Sequence, residues 1–505
     1  MGDGPYVLGI DQGTSGTRAL VLDREGRVHG YGYRPLARLY PRPDWVEQDP
    51  AAVTHSLREA MAQALAEAGA HPADFAACGI ACQRNTDFAW DAQTGHPLAN
   101  AITWQDLRTL HLLGELADWP LALEARHRLG QAPGPFSSAL HLAWRFREEA
   151  AVKAAAAAGR LRLGLSAAWL LSALGRPAAH QMDYTLVQAM GLYDFRARDY
   201  WEAWLQWLGV PRAALPTPTP TINDFGVLRV TGLDGAEAAV PVLAMIGDQQ
   251  GALFGYDCRR PGDAECTHGT ASFVDVCLGA KAPEQAKLNV FFAWVLGTKA
   301  TYCLEADMTV TGAAVRWMCE SARLLEGDEE LGLLAASVPD TGGVYFVPAF
   351  TGLNVPDNDS AARGTLLGLA LGSTRGHIAR AFLEAIGYQT RAVLEAIAAE
   401  TGQRVERLSV GGGLASNDEA CQIQADLAGV PVVRPAFNQM TARAAALLAG
   451  LGAGLWRNLD DLPELPAEHR LFEPRLSAER RDAGYTDWQR AVSLARSWGR
   501  AKQSG

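Results

Sequence analysis

The reading of the chain turns on one stretch near its start, Tyr6-Val7-Leu8-Gly9-Ile10-Asp11-Gln12-Gly13-Thr14-Ser15-Gly16-Thr17-Arg18-Ala19-Leu20-Val21-Leu22. An apolar run, a glycine-rich turn from Asp11 to Gly16 and a second apolar run read as strand, turn and strand. A further turn at Arg24 to Gly26 and strand residues from Arg27 to Tyr33 complete a meander of three short strands. Such a turn can aim backbone N–H groups and hydroxyls at phosphate oxygens, and a carboxylate at its start can hold Mg2+ through water. An ordinary β-hairpin turn accounts for Asp-x-Gly-Thr as well, so this motif alone leaves both readings open.

Working outward, Asp49 and Pro50 supply an N-cap and a first-turn proline, and Val53, Leu57, Met61 and Leu65 recur along one helical face. Strand character returns over residues 74 to 91 around Gln83-Arg84-Asn85-Thr86, and residues 150 to 205 are rich in helix formers. The proline-spaced Leu215 to Pro220 reads as a surface connection, since proline cannot serve a central strand. Past residue 240 the pattern begins again: apolar Val240 to Ile246, Gly247-Asp248-Gln249-Gln250, and a strand from Ala264 to Gly279 interrupted by His268-Gly269-Thr270. Thr14 and Thr270, each closing a Gly-Thr turn, stand 256 residues apart (270 − 14), close to half of the 505-residue chain. A duplicated domain follows, with the boundary near residue 253. A helix from His377 to about Thr401, a strand at Arg407 to Val410, a triple glycine, another helix and the strand Val430 to Arg434 complete an α/β pattern that ends on helices.

The composition, 48% apolar and 20% charged, belongs to a soluble globular chain with a large core. A net charge of −11 without a Lys/Arg-rich run excludes nucleic acid and anionic membrane as partners and points to a small molecule. No basic segment precedes an apolar one at the start and no uncharged stretch is long enough to span a bilayer, so the expected location is the cytoplasm. Of the eight cysteines only Cys78 and Cys82 lie close together, on an apolar strand without further ligands at metal spacing, and they read as core packing.

Two further motifs carry chemistry. Asp248 ends an apolar strand, where a carboxylate can accept a proton from a substrate hydroxyl during phosphoryl transfer; a helix N-cap is the structural alternative. Gly411-Gly412-Gly413-Leu414-Ala415-Ser416-Asn417 lies between strand and helix, where glycines let a nucleotide approach the backbone and a tight turn is the alternative. It is not a Rossmann fingerprint, because Ser416 occupies the last glycine position and the motif lies deep in the second half.

Taken in order, Asp11-Gln12-Gly13-Thr14 with Arg18, Tyr40 to Pro50 with Trp45, Gln83-Arg84-Asn85-Thr86, Asn100 to Gln105 with Trp104, Gly247 to Gln250, Val347 to Leu353, Gly364 to Glu384 and Gly411 to Gly413 resemble the FGGY family of carbohydrate kinases, its glycerol kinases above all. The resemblance covers nearly the whole chain. It implies two actin-like, ribonuclease H-like domains with an interdomain active-site cleft: residues 1–253 for polyol or sugar and the phosphate loop, and 254–505 for ATP. It implies ATP and Mg2+, the metal near Asp11 and Asp248, with Asp248 as general base. Carried over by position, Gln12, Gly13, Thr14, Ser15, Arg18, Gly269, Thr270, Gly312, Arg316, Gly412, Gly413 and Asn417 face ATP. Arg84, Asn85, Trp104, Phe136, Asp248, Gln249 and Phe273 face the polyol.

Departures gather on the acceptor side. Asn85 and Phe136 stand where the family has Glu and Tyr, His141 where it has Lys, and Asn358 where it has Trp; on the nucleotide side Arg316 replaces Gln and Gly411 replaces Asp. Glycerol, giving glycerol 3-phosphate, is the expected acceptor. Another polyol or ketose of the erythritol, xylitol, xylulose or ribulose type is the alternative within the family. An actin-like ATPase and a silent binding relative are alternatives of other classes. Thr231 to Ala239 carries two acids and no Lys or Arg where sugar-bisphosphate-inhibited relatives have a basic loop, so no such inhibition is expected. The oligomeric state stays open between homodimer and homotetramer.

Overall fold

A computed structural model of the chain describes residues 5–465 and 469–501. Its contacts group into two compact units, neither one continuous stretch. The first comprises Met1–Asp257, Gly279–Cys303 and Gln439–Glu464, the second Cys258–Leu278, Leu304–Asn438 and Leu465–Gly505. The first changeover falls a few residues past the boundary expected from the repeat, and two later segments return to the first unit.

In the first unit, β1 (Tyr6–Gln12), β2 (Gly16–Leu22) and β3 (Val28–Pro35) form the expected meander. The helix α1 (Pro50–Ala68) is capped by Asp49, whose side chain accepts from Ala51 N, and Val53, Leu57, Met61 and Leu65 are all buried. β4 (Phe75–Cys82) and β5 (Glu237–Gly247) complete the centre of the sheet, in the order β3-β2-β1-β4-β5. β1 pairs antiparallel with β2 and parallel with β4, which pairs parallel with β5. All seven residues of β1 are buried, as befits a strand covered on both faces. Cys78 and Cys82 are buried in β4, where burial pushes the Cys82 thiol up to about 12.

Most residues of a second sheet belong to the second unit: β6 (Ala264–His268) turns into β7 (Ala271–Gly279), beside which lies β8 (Lys299–Val310). On its other side β6 runs parallel to β9 (Leu408–Gly412), and β9 parallel to β10 (Val432–Pro435). The order β8-β7-β6-β9-β10, with an antiparallel hairpin followed by two parallel pairings, repeats that of the first unit. The chain is therefore α/β with a duplicated, ribonuclease H-like sheet, the two-domain actin-like fold.

One expectation needs refinement. Thr217–Thr219 is not merely a connection: it forms a short strand parallel to Gln181–Asp183, in a ribbon of two that keeps Pro218 out of a sheet centre. Among the described residues, no helix is long and apolar enough to cross a membrane.

Candidate functional site

Register brings the motifs of the first unit to one level. Gln12 on β1 and Gly247 on β5 both stand opposite Cys82 on β4, so Asp11 to Gly16, Gln83 to Thr86 and Gly247 to Gln250 all emerge at the carboxyl ends of three adjacent parallel strands. That edge is where open α/β sheets bind ligands, because diverging loops leave room there.

Asp11 is buried and faces Arg18 across the hairpin, with Arg18 Nη1 donating to Asp11 Oδ2 at 3.2 Å. Burial pushes the Asp11 carboxyl above its ordinary range, and Arg18 opposes that shift. Gln12 is fully buried beneath the turn, its amide donating to Gly13 O. Ser15 is exposed at the turn's tip. Trp104 Nε1 donates to Thr14 Oγ1 at 2.8 Å, and that hydroxyl donates to Gln83 Oε1 at 2.9 Å.

Asp248 is the first residue of the helix α2 (Asp248–Gly255) and not its cap, a place held by Gly247. Its Oδ1 accepts from Gln249 N at 3.0 Å and lies 3.6 Å from Arg84 Nε. Arg84 in turn stacks over the Phe291 ring, 5.0 Å from its centre. Gly247 N donates to Thr185 Oγ1, which fixes the end of β5. The helix N-terminus favours negative charge at Asp248, and Arg84 supplies a positive partner.

Asn85 has φ 53, a left-handed conformation that asparagine tolerates better than most residues. Its Oδ1 accepts from Ser138 N at the start of the helix Ser138–Glu148, so it serves the fold and leaves the amide nitrogen as the donor of that side chain. Phe136 is 40% exposed, two residues before Ser138. Behind it, His141 bridges Pro135 O and the buried Asp87, which also pairs with Arg145.

In the second unit, the Gly269-Thr270 turn takes the first N–H groups of the helix Gly312–Glu320: Gly312 N donates to Gly269 O and Ala313 N to Thr270 O. His268 holds the turn from below, its ring nitrogens meeting Ser272 Oγ at 2.8 Å and Gln424 Oε1 at 3.1 Å, with Ser272 Oγ 2.6 Å from Thr311 Oγ1. Burial pushes the His268 pKa down to about 4, so this link is neutral near pH 7. Phe273 is half-buried on β7, opposite Thr267. Arg316 is exposed one turn along the helix from Gly312.

Gly412 stands beside His268 with φ 84, where a Cβ would collide with His268 O, whereas a Cβ at Gly413 meets nothing within 4 Å. The backbone at Gly413 is thus open to a flat ligand. Asn417 caps the helix Asp418–Ala428, its Oδ1 accepting from Glu419 N and Ala420 N. Nothing in the sequence pattern disclosed the links of Gln83 to Thr14, His268 to Gln424, Ser272 to Thr311 or Phe291 to Arg84, because those partners lie far along the chain.

Residues 6–255 match the family model described as "FGGY family of carbohydrate kinases, N-terminal domain", and residues 264–453 match its C-terminal domain. The chain is 40% identical over 494 residues to a glycerol kinase of Symbiobacterium thermophilum, covering 98% of this chain and 99% of the relative. It is 38% identical over 494 residues to glycerol kinase 2 of Thermotoga maritima, with the same coverage. A crystal structure of Plasmodium falciparum glycerol kinase with ADP superimposes with a TM-score of 0.88 at 26% identity, covering 97% of this chain and 98% of the other.

Proposed function

Because the chain belongs to the FGGY family of carbohydrate kinases, we propose that it transfers the γ-phosphoryl group of ATP to a hydroxyl of glycerol, giving glycerol 3-phosphate. The observation that carries this reading is the pairing of Arg84 with Asp248 at the carboxyl ends of adjacent strands, a base beside a donor. Asp248 takes the proton of the acceptor hydroxyl as the new phosphorus–oxygen bond forms, and Gln249 N fixes the rotation of its carboxylate. Arg84 orients the acceptor oxygens, with Gln249, Trp104 and Phe273 as further acceptor contacts. The Gly13–Ser15 and Gly269–Thr270 turns and Arg18 bind phosphate oxygens, and Gly312, Arg316, Gly412, Gly413 and Asn417 hold the nucleoside.

The donor set fits Mg2+. Among the described residues no three His, Cys, Asp or Glu side chains form a metal cage, and Asp11 and Asp248 offer hard oxygens instead. Mg2+ is commonly held in this way, by one or two carboxylates and the substrate's own phosphates. When bound it neutralises charge on the transferring phosphoryl group.

A second reading, a ketose or longer polyol as acceptor, draws on Asn85 and Phe136. With Oδ1 engaged by Ser138 N, the Asn85 amide nitrogen donates, which suits a carbonyl or an added hydroxyl. Measuring ADP release with glycerol, erythritol, xylitol, xylulose and ribulose on one preparation separates the readings. Glycerol is expected to give the highest kcat/KM. Turnover confined to a ketose selects the second reading, and release independent of any acceptor selects an ATPase.

A further inference from the structure

We propose that Trp104 is a positioning residue for the phosphate-binding turn, acting through Thr14, and so ties the acceptor wall to that turn. The proposal rests on the kinase reading above for the roles of the two parts.

Hydrogen-bond capacity decides the matter. An indole has one donor, and Trp104 gives it to Thr14 Oγ1 at 2.8 Å. A threonine hydroxyl has one proton, and Thr14 gives it to Gln83 Oε1 at 2.9 Å. The Trp104 N–H is therefore committed away from an acceptor hydroxyl and the Thr14 hydroxyl proton away from a phosphate oxygen. The ring of Trp104 remains for the acceptor and the backbone of the turn for phosphate.

The link continues into a closed circuit. Gln83 Nε2 donates to Gln48 Oε1 at 2.8 Å and to Gln12 Oε1 at 3.3 Å, and Gln48 Nε2 returns to Thr14 O at 2.9 Å. Gln12, Gln48 and Gln83 are buried, so the bonds among the three amides are shielded from water and costly to leave unmade.

The loop carrying Trp104 is anchored separately. Arg108 sits 3.9 Å from the centre of the Trp45 ring and 4.7 Å from that of Trp144, and it donates to Asp106 and Glu47. Asp106 Oδ2 in turn accepts from Val46 N. The loop is thus rigid behind Trp104, and the indole delivers that rigidity to the turn.

The test compares Trp104→Phe, Thr14→Val, the double variant and Thr14→Ser in the full chain. Loss of one hydrogen bond of this kind raises the ATP KM roughly tenfold in each of the first two. The double variant is no worse than the poorer single one, because both remove the same link. Thr14→Ser, which keeps the hydroxyl, restores the ATP KM. Multiplying effects in the double variant, or a Trp104→Phe enzyme changed only in its acceptor KM, overturns the proposal.

A readout free of activity is the 15N-labelled indole resonance of Trp104, identified by its loss in Trp104→Phe. It moves upfield in Thr14→Val and stays in place in Thr14→Ser. An indole unmoved by Thr14→Val overturns the link even in an active kinase. A moved indole in a chain inactive towards every polyol and ketose upholds the link and overturns the kinase reading instead.

Discussion

Replacing Asp248 by Asn keeps an oxygen for the Gln249 N–H but removes the capacity to take a proton. Turnover is expected to fall roughly a hundredfold or more while ADP binding, followed by calorimetry, is unchanged. Near-normal turnover would remove Asp248 from its role. Phe136, at 40% exposure, has room for an added oxygen, so Phe136→Tyr is expected to lower the glycerol KM roughly fivefold, the effect of one neutral hydrogen bond of about 1 kcal/mol. A KM that does not move places the ring away from the acceptor. At this scale the sequence disclosed residues whose partners are near, such as Asp11 and Arg18 across one hairpin. Thr14 with Trp104 and Asn85 with Ser138 stayed hidden, because no local period links residues 90 and 53 positions apart.

The elements were legible where one face repeats. The α1 stripe and the meander followed from burial and turn chemistry, and the cap at Asp49 from its proline neighbour. What periodicity could not show is which helix covers which sheet. The helix Met440–Gly452 lies against β1 and β4 so closely that a Cβ at Gly9 or Gly79 would strike the carbonyls of Ala442 and Ala445. Gly79→Ala is therefore expected to prevent the first unit from folding, read as loss of soluble protein. The pairing of β6 with β7 sets Glu265 directly opposite Asp275, with the Glu305 charge nearby. Burial and Glu305 push the Glu265 carboxyl up to about 8, whereas hydrogen bonds from Thr267 and Asp275 pull the other way. The fold thus holds the protonated form: stability is greatest below the ordinary carboxylate value near 4.3 and is lost as pH climbs through about 8. Denaturant unfolding between pH 6 and 9 checks this, since Glu265→Gln is expected to flatten the decline. An unchanged slope assigns it to other groups.

For the whole molecule, duplication was legible from two Gly-Thr turns half a chain apart, and the strand order repeats accordingly. The interleaving was not, since Gly279–Cys303 and Gln439–Glu464 carry no mark of the unit they join. A fragment ending at Asp257 is accordingly expected to lack cooperative unfolding by circular dichroism, although it holds the whole first family match. A cooperative transition in that fragment would show that the late helix is dispensable. That helix also sets a timetable. Synthesis proceeds at roughly 5 to 20 residues per second, so the roughly 190 residues between Gly247 and Met440 occupy the ribosome for about 10 to 40 s after the sheet of the first unit has emerged. Throughout that interval the glycine-lined face of the nascent sheet waits for a helix not yet made, and a cell producing this chain must keep that face from neighbouring chains until residue 452 is free.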